Sequence, residues 1–178
     1  MMLTEEPINF ALHKVEYVEM LPEHIEDVRH MESLTFGEVW SRESYMHELT
    51  CGYGHYFTAL YEGEVVGSAG GWLLYDEFEV TNVIVAPCMR HKGIGERLFW
   101  HMISYVVSEG CDLANLEVRY DNEPAKNIYK KFGFKKIGVR KKYYDGVDDA
   151  WMMQAENMQQ PAYLQRLERI AAELKVNN

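Results

Sequence analysis

Two glycines set two residues apart, Gly93 and Gly95, follow the basic run Arg90-His91-Lys92 and precede a helical pattern. Upstream stand Val83, Ile84 and Val85, a β-branched run of the kind buried on both faces of a sheet. Pro87 follows and ends that strand, since it cannot donate to a ladder. Strand, glycine turn and helix in this order make an anion cradle. Glycine tolerates φ > 0 and close backbone approach, and the first N–H groups of a helix have no partner inside it. The helix dipole and the charges of Arg90, His91, Lys92 and Arg97 favour an anion there. The turn from His91 through Lys92, Gly93, Ile94 and Gly95 to Glu96 is therefore read as a pyrophosphate site. An ordinary βα turn fits the glycines alone equally well, because short glycine motifs recur by chance.

The elements that must position this turn follow from pattern. Val15 to Met20 alternates as a first strand. Pro22-Glu23 opens a helix to about Thr35 with Ile25, Val28, Met31 and Leu34 at helical spacing, and Ser41 caps a second from Arg42 to Leu49. Three strands come next, His55–Tyr61, Val65–Tyr75 and Phe78–Val85, joined by tight turns as antiparallel neighbours. The helix after Gly95 runs to about Glu109, with Leu98, Met102, Tyr105 and Val106 on one face and Phe99, Ile103 and Val107 on another. Leu113–Tyr120 is a strand with Leu116, Val118 and Tyr120 on one face and Asn115, Glu117 and Arg119 on the other. Asp121 or Asn122 caps a short helix that ends near Phe132-Gly133. Two last strands, Phe134–Tyr143 and Asp148–Ala155, meet through Asp145-Gly146. Pro161 starts an amphipathic helix with Leu164, Leu167, Ile170, Ala171 and Leu174 on one face, expected to dock a partner or a second copy, core capping being the plainer use. The order β-α-α-β-β-β-α-β-α-β-β plus one helix predicts an α/β (α+β) domain. Its mixed sheet of about seven strands carries helices on both faces, with a ligand crevice at the carboxyl end of the third hairpin strand. Residues 1–12 read as a loose lead-in, 13–157 as the domain and 158–178 as the terminal helix.

The chain has 178 residues, of which 47% are hydrophobic and 26% charged, values of a soluble globular domain. A net charge of −10 argues against nucleic acid and permits a cationic partner such as an amine or basic peptide. Three cysteines without a Cys-x-x-Cys pair speak against a disulfide framework or zinc site, and no metal is expected from the seven histidines. The N-terminus lacks a secretory pattern and no apolar run reaches membrane-spanning length, so a cytoplasmic setting without a membrane is expected.

Arg90-His91-Lys92-Gly93-Ile94-Gly95 resembles the acetyl-CoA motif Arg/Gln-x-x-Gly-x-Gly/Ala of the GNAT N-acetyltransferase superfamily. Tyr129-Lys130-Lys131-Phe132-Gly133-Phe134 resembles that family's second signature, a tyrosine followed by Gly-Phe. Leu116-Glu117-Val118-Arg119-Tyr120-Asp121-Asn122 is similar to a segment of bacterial ribosomal-protein-alanine N-acetyltransferases. So are Arg140-Lys141-Lys142-Tyr143-Tyr144 with Asp148-Asp149-Ala150, and Phe36 with Trp40-Ser41, although Val39 replaces a proline there. The resemblance covers roughly residues 15 to 155. It implies acetyl-CoA as co-substrate and transfer to a protein N-terminal α-amine, with the N-terminal alanine of a small-subunit ribosomal protein as acceptor. The enzyme would act as a monomer or homodimer. It further implies that Val83, Ile84 and Val85 pair with the pantetheine arm, that Arg90 to Glu96 hold the pyrophosphate, and that Asn122 contacts the cofactor. Glu117 is then the general base and Tyr129 the general acid.

Each implied role has a plainer counterpart. Glu117 could be a salt-bridged strand residue, Glu79 is a rival base, and Tyr129 could simply pack on the sheet. Trp40, Tyr143 and Tyr144 line the acceptor slot or pack at its rim. An α-amino group, with a pKa of about 8, is partly neutral at pH 7, whereas lysine at about 10.4 is almost wholly charged. A modest carboxylate base therefore suffices for an N-terminus. A small amine or lysine acceptor, or a CoA-binding module without catalysis, are the alternatives.

Overall fold

The computed structural model describes residues 10–37, 40–144 and 146–176, with the Tyr144 side chain left out. The first nine residues of the expected lead-in, Val39 before Trp40, and Asp145 of the Asp145-Gly146 turn lie outside the described residues.

Seven strands form one mixed sheet in the order β1-β2-β3-β4-β5-β7-β6. They are β1 (Val15–Glu19), β2 (Gly54–Tyr61), β3 (Glu64–Leu74), β4 (Glu77–Val85), β5 (Leu113–Arg119), β6 (Lys135–Tyr144) and β7 (Asp148–Glu156). Only β4 and β5 are parallel, the outcome of the long crossover through α3 (Ile94–Ser108). Helices α1 (Ile25–Thr35) and α2 (Arg42–Thr50) cover one face. The other face carries α3, α4 (Glu123–Lys131) and α5 (Pro161–Leu174). Caps expected from sequence are in place. Ser41 Oγ accepts from Ser44 N at 3.1 Å, and Asn122 Oδ1 accepts from Ala125 N at 3.2 Å.

Two features open the sheet. β4 and β5 pair only over Glu77–Val80 and Leu113–Leu116, although β4 runs on to Val85 and β5 to Arg119. A bulge accompanies the parting: Gly70 pairs with Asn82 and Gly71 with Val80, so Thr81 has no ladder partner in β3. The approach is close enough that a Cβ on Gly71 would sit 2.0 Å from the Glu79 carbonyl oxygen. The extra residue also reverses which side chains face which way. Phe78 and Val80 bury in the larger core, whereas Ile84 buries in the smaller one under α1 and α2, and Asn82 meets Glu32 and Tyr45 of those helices.

The larger core runs along α3, whose Leu98, Phe99, Met102, Ile103, Val106 and Val107 are buried. The C-terminal helix does not offer its apolar face for docking. Tyr163, Leu167, Ile170, Ala171 and Leu174 bury into the same core, and Leu164, expected on that face, stays partly exposed. Hydrogen bonds from Trp100 Nε1 to Leu167 O at 3.1 Å and from Tyr163 Oη to Phe132 O at 2.9 Å fasten it to α3 and to the end of α4. Capping this core removes more apolar area from water than an exposed helix could. Among the described residues no helix is long and apolar enough to cross a membrane.

Candidate active site

Where β4 and β5 part, each presents one backbone edge that neither its partner nor another strand pairs. β4 is paired on its far side with β3, and β5 with β7. A cavity of about 250 Å³ occupies the gap. Val80 to Val83 form one wall and Leu116 to Arg119 the other, with Asn122 and Tyr129 contributed from the α4 side of the sheet and Glu32, Phe36, Trp40 and Tyr45 from the α1–α2 side. Of the residues singled out from sequence, Val83, Glu117, Asn122, Tyr129 and Trp40 therefore share one cavity. Ile84 turns away into the smaller core, and Val85 packs beside the larger one. Glu79 and Tyr143 do not line the cavity. Tyr143 stacks under Arg140, whose guanidinium carbon lies 5.0 Å from the ring centre.

The glycine turn lies at the end of β4. Gly93 takes the left-handed φ of 80° and caps α3 without a side-chain hydrogen bond, leaving the first N–H groups of the helix available. Gly95 abuts β4, since a Cβ there would meet Val85 Cγ2 at 3.4 Å. These features fit an anion such as a pyrophosphate held by backbone amides. The side chains around the turn are largely committed. Arg90 donates from Nε to Val85 O and from Nη2 to Thr35 Oγ1, both at 3.0 Å, buckling the end of β4 to α1. Lys92 lies over Phe10, and Glu96 pairs with Lys131 at 2.6 Å. Arg97 reaches Leu174 O at 2.6 Å. His91 holds a positive φ of 60° beside the turn.

Glu117 extends from β5 into the cavity with its side chain 16% exposed, and Arg140 on β6 pairs with it at 3.0 Å. Behind it stands Glu79 on β4. Burial, then the charge of Glu117 and a hydrogen bond to it, push the Glu79 carboxyl above its ordinary pKa, with Arg140 opposing. A carboxyl whose pKa rises on folding contributes stability that is lost as pH climbs from its unfolded value through the raised one. Glu79→Gln is therefore expected to melt with the wild type near pH 4 and above it near pH 8. Thermal melts at the two pH values check this, and a difference of the opposite sign would refute it.

Tyr129, on α4, is nearly buried and leans on Phe99, with ring centres 5.0 Å apart. Three further lining residues were not found from sequence: Glu32, Tyr45 and Asn82. Tyr45 Oη donates to Glu32 Oε1 at 2.5 Å, and Asn82 Nδ2 donates to the same oxygen at 2.6 Å. Burial pushes the Glu32 carboxyl up, against hydrogen bonds from Tyr45 and the Trp40 backbone, the charge of Arg29, and Asn82. Burial and Glu32 together hold the Tyr45 phenol far above its ordinary range. A signal existed in the sequence. Glu32 falls four residues after Val28 on the buried stripe of α1, and Asn82 interrupts an otherwise β-branched run. A polar group at a core position has to be paired or functional.

Residues 25–134 match the acetyltransferase (GNAT) family. A Bacillus subtilis (strain 168) protein provisionally named a ribosomal protein bS18-alanine N-acetyltransferase is 35% identical over 133 residues, 74% of this chain and 88% of the relative. The ribosomal protein bS18-alanine N-acetyltransferase of Escherichia coli (strain K12) is 28% identical over 127 residues, 70% of this chain and 85% of the relative. The crystal structure of the ribosomal-protein-S18-alanine N-acetyltransferase from Escherichia coli superposes with a TM-score of 0.73 at 24% identity. That match covers 80% of this chain and 94% of the other, a likeness of fold.

Proposed function

The chain belongs to the acetyltransferase (GNAT) family and is an acetyltransferase; from that premise we propose that it moves an acetyl group from acetyl-CoA to the α-amine of a protein N-terminus, the N-terminal alanine of a small-subunit ribosomal protein being the acceptor. The observation that carries this reading is the parting of β4 from β5. It sets two unpaired strand edges between the α3 N-terminus and the side chains of Glu117 and Tyr129. A pantetheine arm can pair along Val83 to Val85 as an added strand would, while the amides following Gly93 take the pyrophosphate and Asn122 borders the arm. The bound co-substrate supplies an acyl thioester open to attack by an amine.

The chain's own groups then handle protons. An α-ammonium must lose two on its way to an amide. Glu117 takes one and releases it to solvent. As the nitrogen–carbon bond forms and the carbon–sulfur bond breaks, the Tyr129 phenol gives its proton to the departing sulfur and is recharged by the second. Glu79, hydrogen-bonded to Glu117 and outside the cavity lining, supports that base rather than meeting the amine. Trp40 borders the acceptor end of the cavity. The described cysteines are free thiols, which suits a reducing cytoplasmic setting.

Thiol release from acetyl-CoA with alanine-initiated peptides, lysine peptides and polyamines tests the proposal. Release with alanine-initiated peptides supports it. Release only with polyamines or lysine moves the acceptor to those classes, and CoA binding without release for any acceptor makes the protein a binding module. The pH profile separates the amine classes further. With an N-terminal acceptor, kcat/KM rises to about pH 8 and levels off as the α-amine becomes neutral. A lysine acceptor would keep it rising toward about pH 10.

A further inference from the structure

The acceptor end of the cavity holds a polar cluster that the proton transfers above do not use. Glu32, only 7% exposed, lines the cavity together with Tyr45 and Asn82. The donors of the cluster converge on one oxygen. Tyr45 Oη and Asn82 Nδ2 both donate to Glu32 Oε1, and Asn82 Nδ2 also lies 3.1 Å from Tyr45 Oη. The Trp40 backbone amide and the charge of Arg29 also act on the carboxylate. Even so, two acceptors, Glu32 Oε2 and Asn82 Oδ1, are buried without a hydrogen-bond partner among the described residues.

A tie that served only to fasten α1 and α2 to the sheet would pair its buried acceptors. The neighbouring buried carboxylate, Glu48, does this. It accepts from Trp72 Nε1 and, at 3.4 Å, from Tyr56 Oη, and none of its atoms is among the orphans. The two free acceptors of the Glu32 cluster, one belonging to a carboxylate, call for a compact donor with positive charge. A primary ammonium has three N–H donors and no acceptor. An anion would be repelled.

We propose that Glu32 and Asn82 receive the acceptor's α-ammonium and hold it for transfer, making them positioning residues on the α1–α2 side of the cavity, the face of the sheet from which Glu117 also enters. The inference rests on the N-terminal-amine reading above. Tyr45 holds Glu32 in place, and Asn82, turned to this face by the bulge at Thr81, supplies the second acceptor.

The test compares binding of an alanine-initiated peptide with that of its des-amino analogue, in which propionyl replaces alanyl, by calorimetry on the CoA-loaded protein. The wild type is expected to prefer the free amine by about 10–100-fold, the factor that a charge-assisted hydrogen bond supplies. Glu32→Gln keeps an oxygen for Tyr45 but removes the charge. It should abolish the preference and raise KM by a similar factor while kcat changes far less. The double variant Glu32→Gln/Asn82→Asp exchanges donor and acceptor within the pair and returns an anion to the site. It should restore the preference, which a merely structural role would not do.

A wild type without preference, a Glu32→Gln variant that keeps it, or a double variant that fails to recover it would overturn the inference. Turnover of the alanine-initiated peptide alongside any of these leaves the acceptor reading standing. Absence of turnover with every N-terminal peptide removes that reading itself.

Discussion

The Glu117→Gln variant is expected to release thiol about 10²–10⁴-fold more slowly than the wild type with an alanine-initiated peptide, while binding CoA as before. Glutamine keeps the volume and the contact with Arg140 but cannot take a proton. The residue lies on β5 beyond the last β4 pairing, at Leu116, where its side chain enters the cavity instead of a neighbouring strand's territory. Tyr129→Phe should lose a comparable factor for the opposite reason, since it removes the donor to the leaving sulfur and little of the packing on Phe99. Steady-state thiol release and CoA titration on the same samples measure both. A loss below tenfold in Glu117→Gln, deepened by adding Glu79→Gln, would transfer the base role to the second carboxyl.

Phe99→Ala is the substitution expected to cost most in stability, about 3–5 kcal/mol. Phe99 is fully buried on α3. Its ring centre lies 5.0 Å from that of Tyr129, 4.9 Å from Phe132 and 5.8 Å from Phe134, so one side chain joins α3 to α4 and to the entry of β6. Removing it leaves a cavity among aromatic rings that cannot close without moving the helix. The predicted loss is a large share of the 5–15 kcal/mol that holds a domain folded. Urea unfolding gives the number, and a cost under about 1.5 kcal/mol, the range of a volume-conserving swap, would contradict it. Because Tyr129 leans on the same ring, turnover should fall as well, and Phe99→Leu should recover most of both.

The elements were legible because their signals are local. Periodicity marked α3, β-branched runs marked β4 and β5, and Ser41 and Asn122 announced their helices by cap chemistry. Element ends shifted by a residue or two, as when β3 starts at Glu64 rather than Val65. The C-terminal helix was legible as amphipathic, but the use of its apolar face was not. An amphipathic stripe states that a face must be covered without stating by what. Tyr163 rather than Leu164 completes that face because the helix meets α3 and the end of α4 at an angle that only packing sets.

The candidate site divides in the same way. By itself the sequence determined the glycine turn, the alternation that puts Glu117 opposite Leu116 and Val118, and the membership those motifs imply, since each depends on a few consecutive residues. Only the tertiary structure decided that β4 leaves β5 after Val80, and that a bulge at Thr81 turns Asn82 toward α1. It alone placed Glu79 behind Glu117 instead of in the cavity, and brought Glu32, Tyr45 and Asn82 together from three separate elements. Contacts between residues up to 50 positions apart leave no periodic trace in the chain. They exist only once the helices and the bulged strand have packed.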